Sequence, residues 1–150
     1  MNWTAEIDRL VTDGVEESRV LEFKRELALS SRSERIEALK DLTAMANGGG
    51  GAVVFGVDER NHPDGRVTAG AVCPLTERSL LGRLQDLLRD AVFPPLIAEF
   101  HEVDWADGYV LVAEVFTSPL GPYMVEALGQ HRYFSREGTS SSPMSEPQVR

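Results

Sequence analysis

Apolar positions recur with two different periods along the chain, and these periods predict its helices and strands. A spacing of three to four residues predicts helices over residues 3–13, 31–46 and 76–92. Alternating or continuous apolar runs predict strands over residues 19–25, 52–57, 67–72, 97–103 and 109–116. Residues 124–127 and 131–136 predict one more hairpin, with its turn near Gly129.

Capping and turn residues mark where these elements begin and end. Ser31 and Glu34 have capping-box spacing at the start of the second helix, and Thr76 is a suitable N-cap for the third. An Asp-Gly turn is expected at residues 107–108, inside the hairpin of residues 97–116. Loops are expected where turn residues cluster, over residues 58–66 and 138–143, and residues 144–150 predict the start of a further helix.

The order of these elements predicts an α+β fold. Hairpins dominate the second half of the chain, so we expect a mixed, largely antiparallel sheet with about three helices packed on it. A length of 150 residues fits a single domain over residues 1–150. A helix that begins close to the last residue is consistent with this domain being the N-terminal part of a longer protein.

The composition excludes several classes of protein. Apolar residues make up 42% and charged residues 26% of the chain, which is typical of a globular domain and excludes collagen, a coiled coil and wholesale disorder. Cys73 is the single cysteine, so neither an internal disulfide nor a cysteine-based zinc site is expected. The chain has no membrane-length apolar run and no signal-peptide pattern, so we expect a cytoplasmic protein with no membrane partner.

The charge of the chain is unevenly distributed. The formal net charge of −9 argues against a protein that coats DNA without specificity. Residues 19–40 nonetheless contain six basic and four acidic residues, whereas residues 85–107 contain one basic and six acidic residues. A polyanion is therefore expected to bind the first of these segments, with contributions from His131, Arg132 and Arg136.

Acidic residues and a lysine on and beside the first predicted strand form a candidate site. Glu22 and Lys24 are two residues apart on a strand, so their side chains share one face. Glu17 precedes this strand and Asp58 follows the central strand, so three carboxylates converge if the two strands are neighbours. Such a set suits Mg²⁺ or Mn²⁺ and a phosphate, as in metal-dependent nucleases. The alternative is an ordinary ion pair between Glu22 and Lys24 on a solvated face.

Four glycines after Asn47 form a second candidate. They lie between a helix and a strand, whereas a phosphate-binding loop runs from a strand to a helix, and no Gly-Lys-Ser/Thr follows. ATP binding therefore has no phosphate-loop motif to support it. A helix C-cap with a close approach to the next strand is favoured, although its amides would also suit an anion.

Residues 131–136 combine basic and aromatic side chains, and the hydroxyl-rich residues 137–142 follow them. This segment is suited to binding a phosphate backbone, and it is equally suited to forming an edge hairpin protected by charge.

Hydrolase triads are not supported because Gly-x-Ser-x-Gly is absent. The three histidines are scattered along the sequence, so no histidine metal site is expected.

Taken together, these motifs resemble the Schlafen-type AlbA-like domain family. The motifs in the first half are Glu17-Ser18, LEFK at residues 21–24, AMANGGGG at residues 44–51 and VVFGVD at residues 53–58. Those in the second half are FPP at residues 93–95, residues 110–115, residues 118–123 and YFSREGTS at residues 133–140. The resemblance covers roughly residues 14–147, with the motifs in the family's order.

The resemblance implies nucleic-acid chemistry of two kinds. Bacterial and archaeal members are described as DNA-binding domains of transcriptional regulators. Animal relatives include metal-dependent ribonucleases that cut structured RNAs such as tRNA, using two glutamates five residues apart and an aspartate after the Gly-Val strand. The matching positions are Glu17, Glu22 and Asp58, so these acids are expected to bind Mg²⁺ or Mn²⁺ and, with Lys24, to form the catalytic set.

Three hypotheses of function follow. The first is a nucleic-acid-binding domain, for DNA or RNA, that retains the three-carboxylate site. The second is an active Mg²⁺- or Mn²⁺-dependent ribonuclease, which would need a homodimer because its nuclease relatives carry two such lobes in one chain. The third is a non-catalytic regulatory, nucleotide-binding or protein-interaction module. For the first two, the expected phosphate contacts are Arg19, Arg25, Arg32, Arg35, Arg132 and Arg136.

Overall fold

The computed structural model describes residues 1–127 and 130–144, which form three helices and ten strands. The helices are α1 (Trp3–Thr12), α2 (Arg32–Asn47) and α3 (Leu80–Ala91). The strands are β1 (Leu21–Lys24), β2 (Gly51–Phe55), β3 (Val57–Asn61), β4 (Val67–Val72), β5 (Val92–Phe93), β6 (Ile97–Trp105), β7 (Gly108–Phe116), β8 (Met124–Ala127), β9 (Gln130–Glu137) and β10 (Ser140–Pro143). The turn expected near Gly129 and the helix expected after Met144 lie outside the described residues.

The strands form two four-stranded sheets and a separate hairpin within the described residues. The central sheet has the order β1-β2-β7-β6, and the second sheet has the order β10-β9-β8-β5. Strands β3 and β4 form the hairpin. Strands β1 and β2 run parallel, and the other pairs are antiparallel. The expected α+β class with a mixed, largely antiparallel arrangement is therefore confirmed.

The central sheet is covered on both faces. Phe23, Val54 and Val112 lie on the face that packs against α1, in one buried apolar cluster. Val53 and Phe55 lie on the opposite face, in the larger cluster with α2 and α3. The two faces alternate because successive strand residues point to opposite sides of a sheet. None of the described helices has both the length and the apolar character required to cross a membrane.

Helix α2 lies between the two sheets. Its N-terminus has the capping box expected from Ser31 and Glu34, with each side chain accepting a hydrogen bond from the other residue's backbone amide. At its C-terminus, Asn47 donates from Nδ2 to the carbonyls of Tyr123 (3.1 Å) and Phe134 (2.8 Å). Asn47 Oδ1 accepts from the amide of Tyr123 at 2.8 Å. One side chain thus joins the helix to the second sheet.

The glycine run ends α2 and brings β2 close to β1. Gly48 is the C-cap of the helix, as the C-cap interpretation of the run predicted. Gly51 has a φ of 152°, and a Cβ atom there would lie 2.4 Å from the carbonyl oxygen of Val20. This close approach requires glycine at the point where the parallel strands begin to pair.

Several local expectations were wrong. Helix α3 begins at Leu80 rather than after Thr76, because Leu75 pairs with Tyr109 and the Tyr109 hydroxyl donates to the carbonyl of Glu77. The expected loops of residues 58–66 and 138–143 contain β3 and β10, which pair with β4 and β9. Strand β9 therefore lies between β8 and β10 and is not an edge.

The turn between β6 and β7 is formed by Ala106 and Asp107 rather than by an Asp-Gly pair, because Trp105 is paired with Gly108. Ala106 has a φ of 48°, in the left-handed region. Gly108 is required for a different reason, since a Cβ atom there would lie 2.1 Å from the carbonyl oxygen of Leu75.

Candidate functional site

Strand β1 presents Glu22 and Lys24 on one face of the central sheet. Phe23 between them points to the α1 face, so Glu22 and Lys24 point toward α2. Lys24 Nζ lies 3.9 Å from Glu22 Oε1 and 3.4 Å from Oδ2 of Asp41, a buried residue of α2. Burial lowers the pKa of Lys24, but Asp41 and Glu22 outweigh burial and leave the pKa above its usual value.

Glu17 lies in the segment before β1 and is buried. Its Oε2 accepts a hydrogen bond from the backbone amide of Phe23 at 2.9 Å, which fixes the carboxylate beside the strand. Burial raises the pKa of Glu17 to about 7, the Phe23 amide acts in the opposite direction, and the charges of Glu59 and Glu22 raise it further.

The acid on β3 that shares this environment is Glu59. Burial raises the pKa of Glu59, Lys24 opposes the rise, and the charge of Glu22 adds to it. Asp58, the residue singled out by the sequence motif, instead lies 3.7 Å from Arg25 through Oδ2 and has 39% of its side chain exposed. Sequence reasoning missed Glu59 because residues 58–66 were expected to be a loop, whereas Glu59 lies on strand β3.

Asp41 of α2 is the fourth acid beside Lys24. Burial raises the pKa of Asp41 to about 7, against the opposing effect of Lys24. We call Glu17, Glu22, Asp41, Glu59 and Lys24 the carboxylate cluster. Within the described part of the chain, neither the predicted trio with Asp58 nor any trio from this cluster brings its ligand oxygens within 4.8 Å of one another.

Arg136 of β9 reaches Glu22 from the second sheet. Its Nη1 lies 3.5 Å from Glu22 Oε2, and its Nε and Nη2 donate to the carbonyl of Ser18 at 3.3 Å and 2.8 Å. Arg136 is 4% exposed, so its guanidinium is not placed to contact a phosphate, which was its expected role. Both Glu22 Oε2 and Arg136 Nη1 are buried without a hydrogen-bond partner.

The other predicted phosphate contacts lie on the surface or at its margin. Arg19 Nη1 donates to the carbonyl of Gly48, and Arg35 Nη1 donates to the carbonyls of Leu29 and Ser30. Arg25 pairs with Asp58, as described above. The two remaining arginines are exposed, namely Arg32 and Arg132.

A groove of about 400 Å³ opens beside the cluster, between β1 and the first half of α2. Lys24, Asp41 and Phe55 form part of its wall, together with Ser33 and Glu37. Acids outnumber bases in this wall, so a bound polyanion needs either a cation in the groove or contacts with the arginines outside it.

Comparisons with known proteins agree on the fold. A family model described as Schlafen, AlbA_2 matches residues 17–145. The solved DIP2311 protein of Corynebacterium diphtheriae is 16% identical with a TM-score of 0.57, over 94% of this chain and 26% of that one. The solved N-terminal domain of a RecG-related protein of Nitrosomonas europaea is 22% identical with a TM-score of 0.52, over 78% of this chain and 74% of that one. No curated protein matches this chain.

Proposed function

The chain belongs to the Schlafen AlbA_2 family, and from that premise we propose that it is a nucleic-acid-binding domain that holds a divalent cation at its carboxylate cluster. The observation that carries the proposal is the excess of acid in the cluster. Four carboxylates lie close together beside two cations, Lys24 and Arg136, and burial, with neighbouring acids adding to it, raises the pKa values of Glu17, Asp41 and Glu59. Like charges held this close are stabilised by a shared cation.

Two further observations support nucleic acid as the partner. The RecG-related protein from Nitrosomonas europaea is named after an ATP-dependent DNA helicase, and its N-terminal domain shares this fold. Arg19 precedes β1, and Arg25 and Arg32 lie at the two ends of the connection between β1 and α2, where they supply positive charge in a chain of net charge −9. The chain spans 26% of the Corynebacterium protein, so what the rest of that protein binds carries no argument for this chain.

The residues of the cluster fit Mg²⁺ or Mn²⁺. All their candidate ligand atoms are carboxylate oxygens, which these hard cations prefer. Glu22 Oε2 faces Nη1 of Arg136 at 3.5 Å, so Glu22 would bind an ion through Oε1, the oxygen that lies toward Lys24. Mg²⁺ usually retains several waters and takes one or two carboxylates, which suits acids that do not close on a single point. Glu17, Glu22 and Glu59 would hold the ion, in part through its retained waters, because their oxygens do not all lie within 4.8 Å of one another.

Phosphodiester hydrolysis is the second candidate, favoured by the position of Lys24. With 29% of its side chain exposed, Lys24 is open to a phosphate approaching from solvent while Asp41 and Glu22 keep it charged. A divalent ion, when bound, activates water and neutralises charge on the phosphoryl oxygens. Lys24 would orient the phosphate, and Glu17, held by the Phe23 amide, would keep its carboxylate fixed during the reaction.

Binding and cleavage are tested separately with the same reagents. Labelled tRNA and labelled single-stranded DNA are titrated with the protein in EDTA and in Mn²⁺, and the products are followed on denaturing gels. We compare the wild type, Glu59→Gln and the control Glu126→Gln, an exposed acid of β8. We expect binding in both media, cleavage in Mn²⁺ only, and loss of cleavage without loss of binding in Glu59→Gln.

The remaining outcomes are also decisive. Binding without cleavage leaves the nucleic-acid-binding domain and removes the nuclease. Absence of binding to either nucleic acid removes both and leaves the third hypothesis, a regulatory, nucleotide-binding or protein-interaction module. Cleavage that is equal in Glu59→Gln and Glu126→Gln would show that the carboxylate cluster is not the site of the reaction.

A further inference from the structure

Two strands at one edge of the central sheet bring a histidine and two glutamates together, away from the carboxylate cluster. Glu99 and His101 lie two residues apart on the edge strand β6, and Glu114 lies on the neighbouring strand β7. Glu99 and Glu114 are directly paired across the strands, and His101 is paired with Val112. Since Val112 belongs to the apolar cluster beneath α1, all three side chains lie on the α1 face, opposite to Glu22 and Lys24.

The ligand atoms of this trio are close enough to share an ion. The candidate ligand atoms of the three residues all lie within 4.8 Å of one another. His101 Nε2 is 2.8 Å from Glu114 Oε1 and 3.9 Å from Glu99 Oε2. A tetrahedral zinc ion with bonds of about 2.0–2.1 Å separates its ligand atoms by about 3.3 Å, which lies within this range.

The arrangement of charge also points to a cation. Two glutamates directly opposed on adjacent strands repel each other, so a cation between them would stabilise the pair. Here the imidazole of His101 lies between them, and its neutral form offers a lone pair to a metal. Trp3 of α1 stacks on the imidazole, with ring centroids 5.1 Å apart and planes tilted by 35°, and so restrains the ring.

We propose that Glu99, His101 and Glu114 form a binding site for a zinc-class transition-metal ion. One imidazole and two carboxylates make a mixed donor set that suits Zn²⁺ better than Mg²⁺, which takes oxygen ligands. Three protein ligands leave one tetrahedral position open, and Glu99 has 68% of its side chain exposed, so that position faces solvent. The ion joins β6 to β7 and, through His101 and Trp3, holds the first turn of α1 against the sheet.

Isothermal titration with Zn²⁺ alone tests the proposal. The background is Glu59→Gln, so that the carboxylate cluster contributes less to the signal. We expect one ion per chain, and affinity at least about tenfold weaker in His101→Ala and in Glu114→Gln, because loss of even an outer partner of a ligand costs that much. The control His131→Ala removes an exposed histidine of β9 and should bind as the background protein does.

A spectroscopic measurement distinguishes this site from adventitious binding. Co²⁺ bound beside the indole should quench the fluorescence of Trp3, measured in a Trp105→Phe background that leaves one tryptophan, and His101→Ala should abolish the saturable part. Circular dichroism of each variant establishes that it is folded. Equal Zn²⁺ affinity in His101→Ala and the background protein, or no saturable binding at all, would overturn the proposal.

Discussion

Nη1 of Arg136 lies 3.5 Å from Oε2 of Glu22, and both groups are buried where the second sheet meets β1. The same guanidinium donates to the carbonyl of Ser18, so one side chain of β9 restrains both the acid and the backbone that precedes it. Arg136, which was expected to bind phosphate, therefore positions Glu22 instead.

Arg136→Ala is therefore expected to destabilise the protein strongly. It removes the buried guanidinium beside Glu22 Oε2 and leaves that carboxylate with the more distant Lys24, which costs about 3–5 kcal/mol of the free energy of unfolding. Arg132→Ala, an exposed change on the same strand, should cost about 1 kcal/mol or less. Urea unfolding followed by circular dichroism measures both variants, and equal losses would contradict the structural role of Arg136.

Gly108→Ala is expected to destabilise the hairpin of β6 and β7. The added Cβ atom would lie 2.1 Å from the carbonyl oxygen of Leu75, so the strand or the Leu75 segment must move, at a cost of about 3 kcal/mol. Gly82→Ala is the matched control, because Gly82 is an exposed helical residue with open space around it. That change should raise the free energy of unfolding by about 0.5–1 kcal/mol. The midpoint temperature of thermal unfolding should therefore fall in Gly108→Ala and rise in Gly82→Ala.

The stability of the metal-free protein should fall as the pH rises from 5 to 8. Burial raises the pKa of Asp41 to about 7 from a usual value of 3.8, so the folded protein binds the proton more tightly than the unfolded chain does. The contribution of Asp41 to the free energy of unfolding is fully present below its pKa in the unfolded chain. It is lost as the pH rises to the pKa in the folded protein, at no more than about 1.4 kcal/mol per pH unit.

Asp41→Asn isolates this contribution. Because the amide does not titrate, the variant should lose less stability than the wild type between pH 5 and pH 8. Its free energy of unfolding at pH 8 should therefore rise relative to that of the wild type. Urea titrations in EDTA at four pH values measure the two slopes. A slope unchanged by Asp41→Asn would show that Asp41 is ionised throughout this range.

Nucleic-acid binding should depend on salt through the exposed arginines. Arg32→Ala and Arg132→Ala should each reduce the slope of log affinity against log salt by about 0.7–0.9, one phosphate contact apiece. Arg89→Ala is the control, because Arg89 is exposed on α3 and pairs with Asp86 and Asp90. Fluorescence anisotropy at salt concentrations from about 50 to about 200 mM measures these slopes, because affinity changes steeply over that range. Slopes that do not change would exclude these arginines as phosphate contacts.

A dimer is expected if the protein cleaves structured RNA, because a single lobe supplies half of a two-lobed cradle. Strand β6 is the exposed edge of the central sheet among the described strands, and it offers backbone groups to a second copy. Strand β9, which sequence reasoning also regarded as an edge, is covered by β10. Light scattering at micromolar concentration, with and without RNA, should give twice the monomer mass. A monomer that still cuts RNA would show that one lobe suffices.

Sequence reasoning succeeded where the determinants are local. The capping box of Ser31 and Glu34 and the end of α2 at Gly48 are determined by residues a few positions apart, and both are present. The alternation of Glu22 and Lys24 around Phe23 likewise follows from strand geometry alone.

It failed where distant segments decide the outcome. Tyr109 holds the residues before Leu80 out of the helix from a strand about thirty positions away. The burial of Arg136 depends on α2 packing against β9 and on the contacts of the guanidinium with Ser18 and Glu22, and alternation along one strand cannot show this. The position of Glu59 beside the other acids depends on strand β3, which forms by pairing with β4 in a segment whose turn residues predicted a loop.

The three hydrogen bonds of Asn47 have a consequence for how the molecule opens. They connect the end of α2 to Tyr123 and Phe134, so the second sheet cannot separate from the helix without exposing two carbonyls and an amide together. Aspartate, which differs by a single group, would place an acceptor against those two carbonyls. Amide hydrogen exchange in both sheets should therefore report one cooperative unit rather than two independent halves.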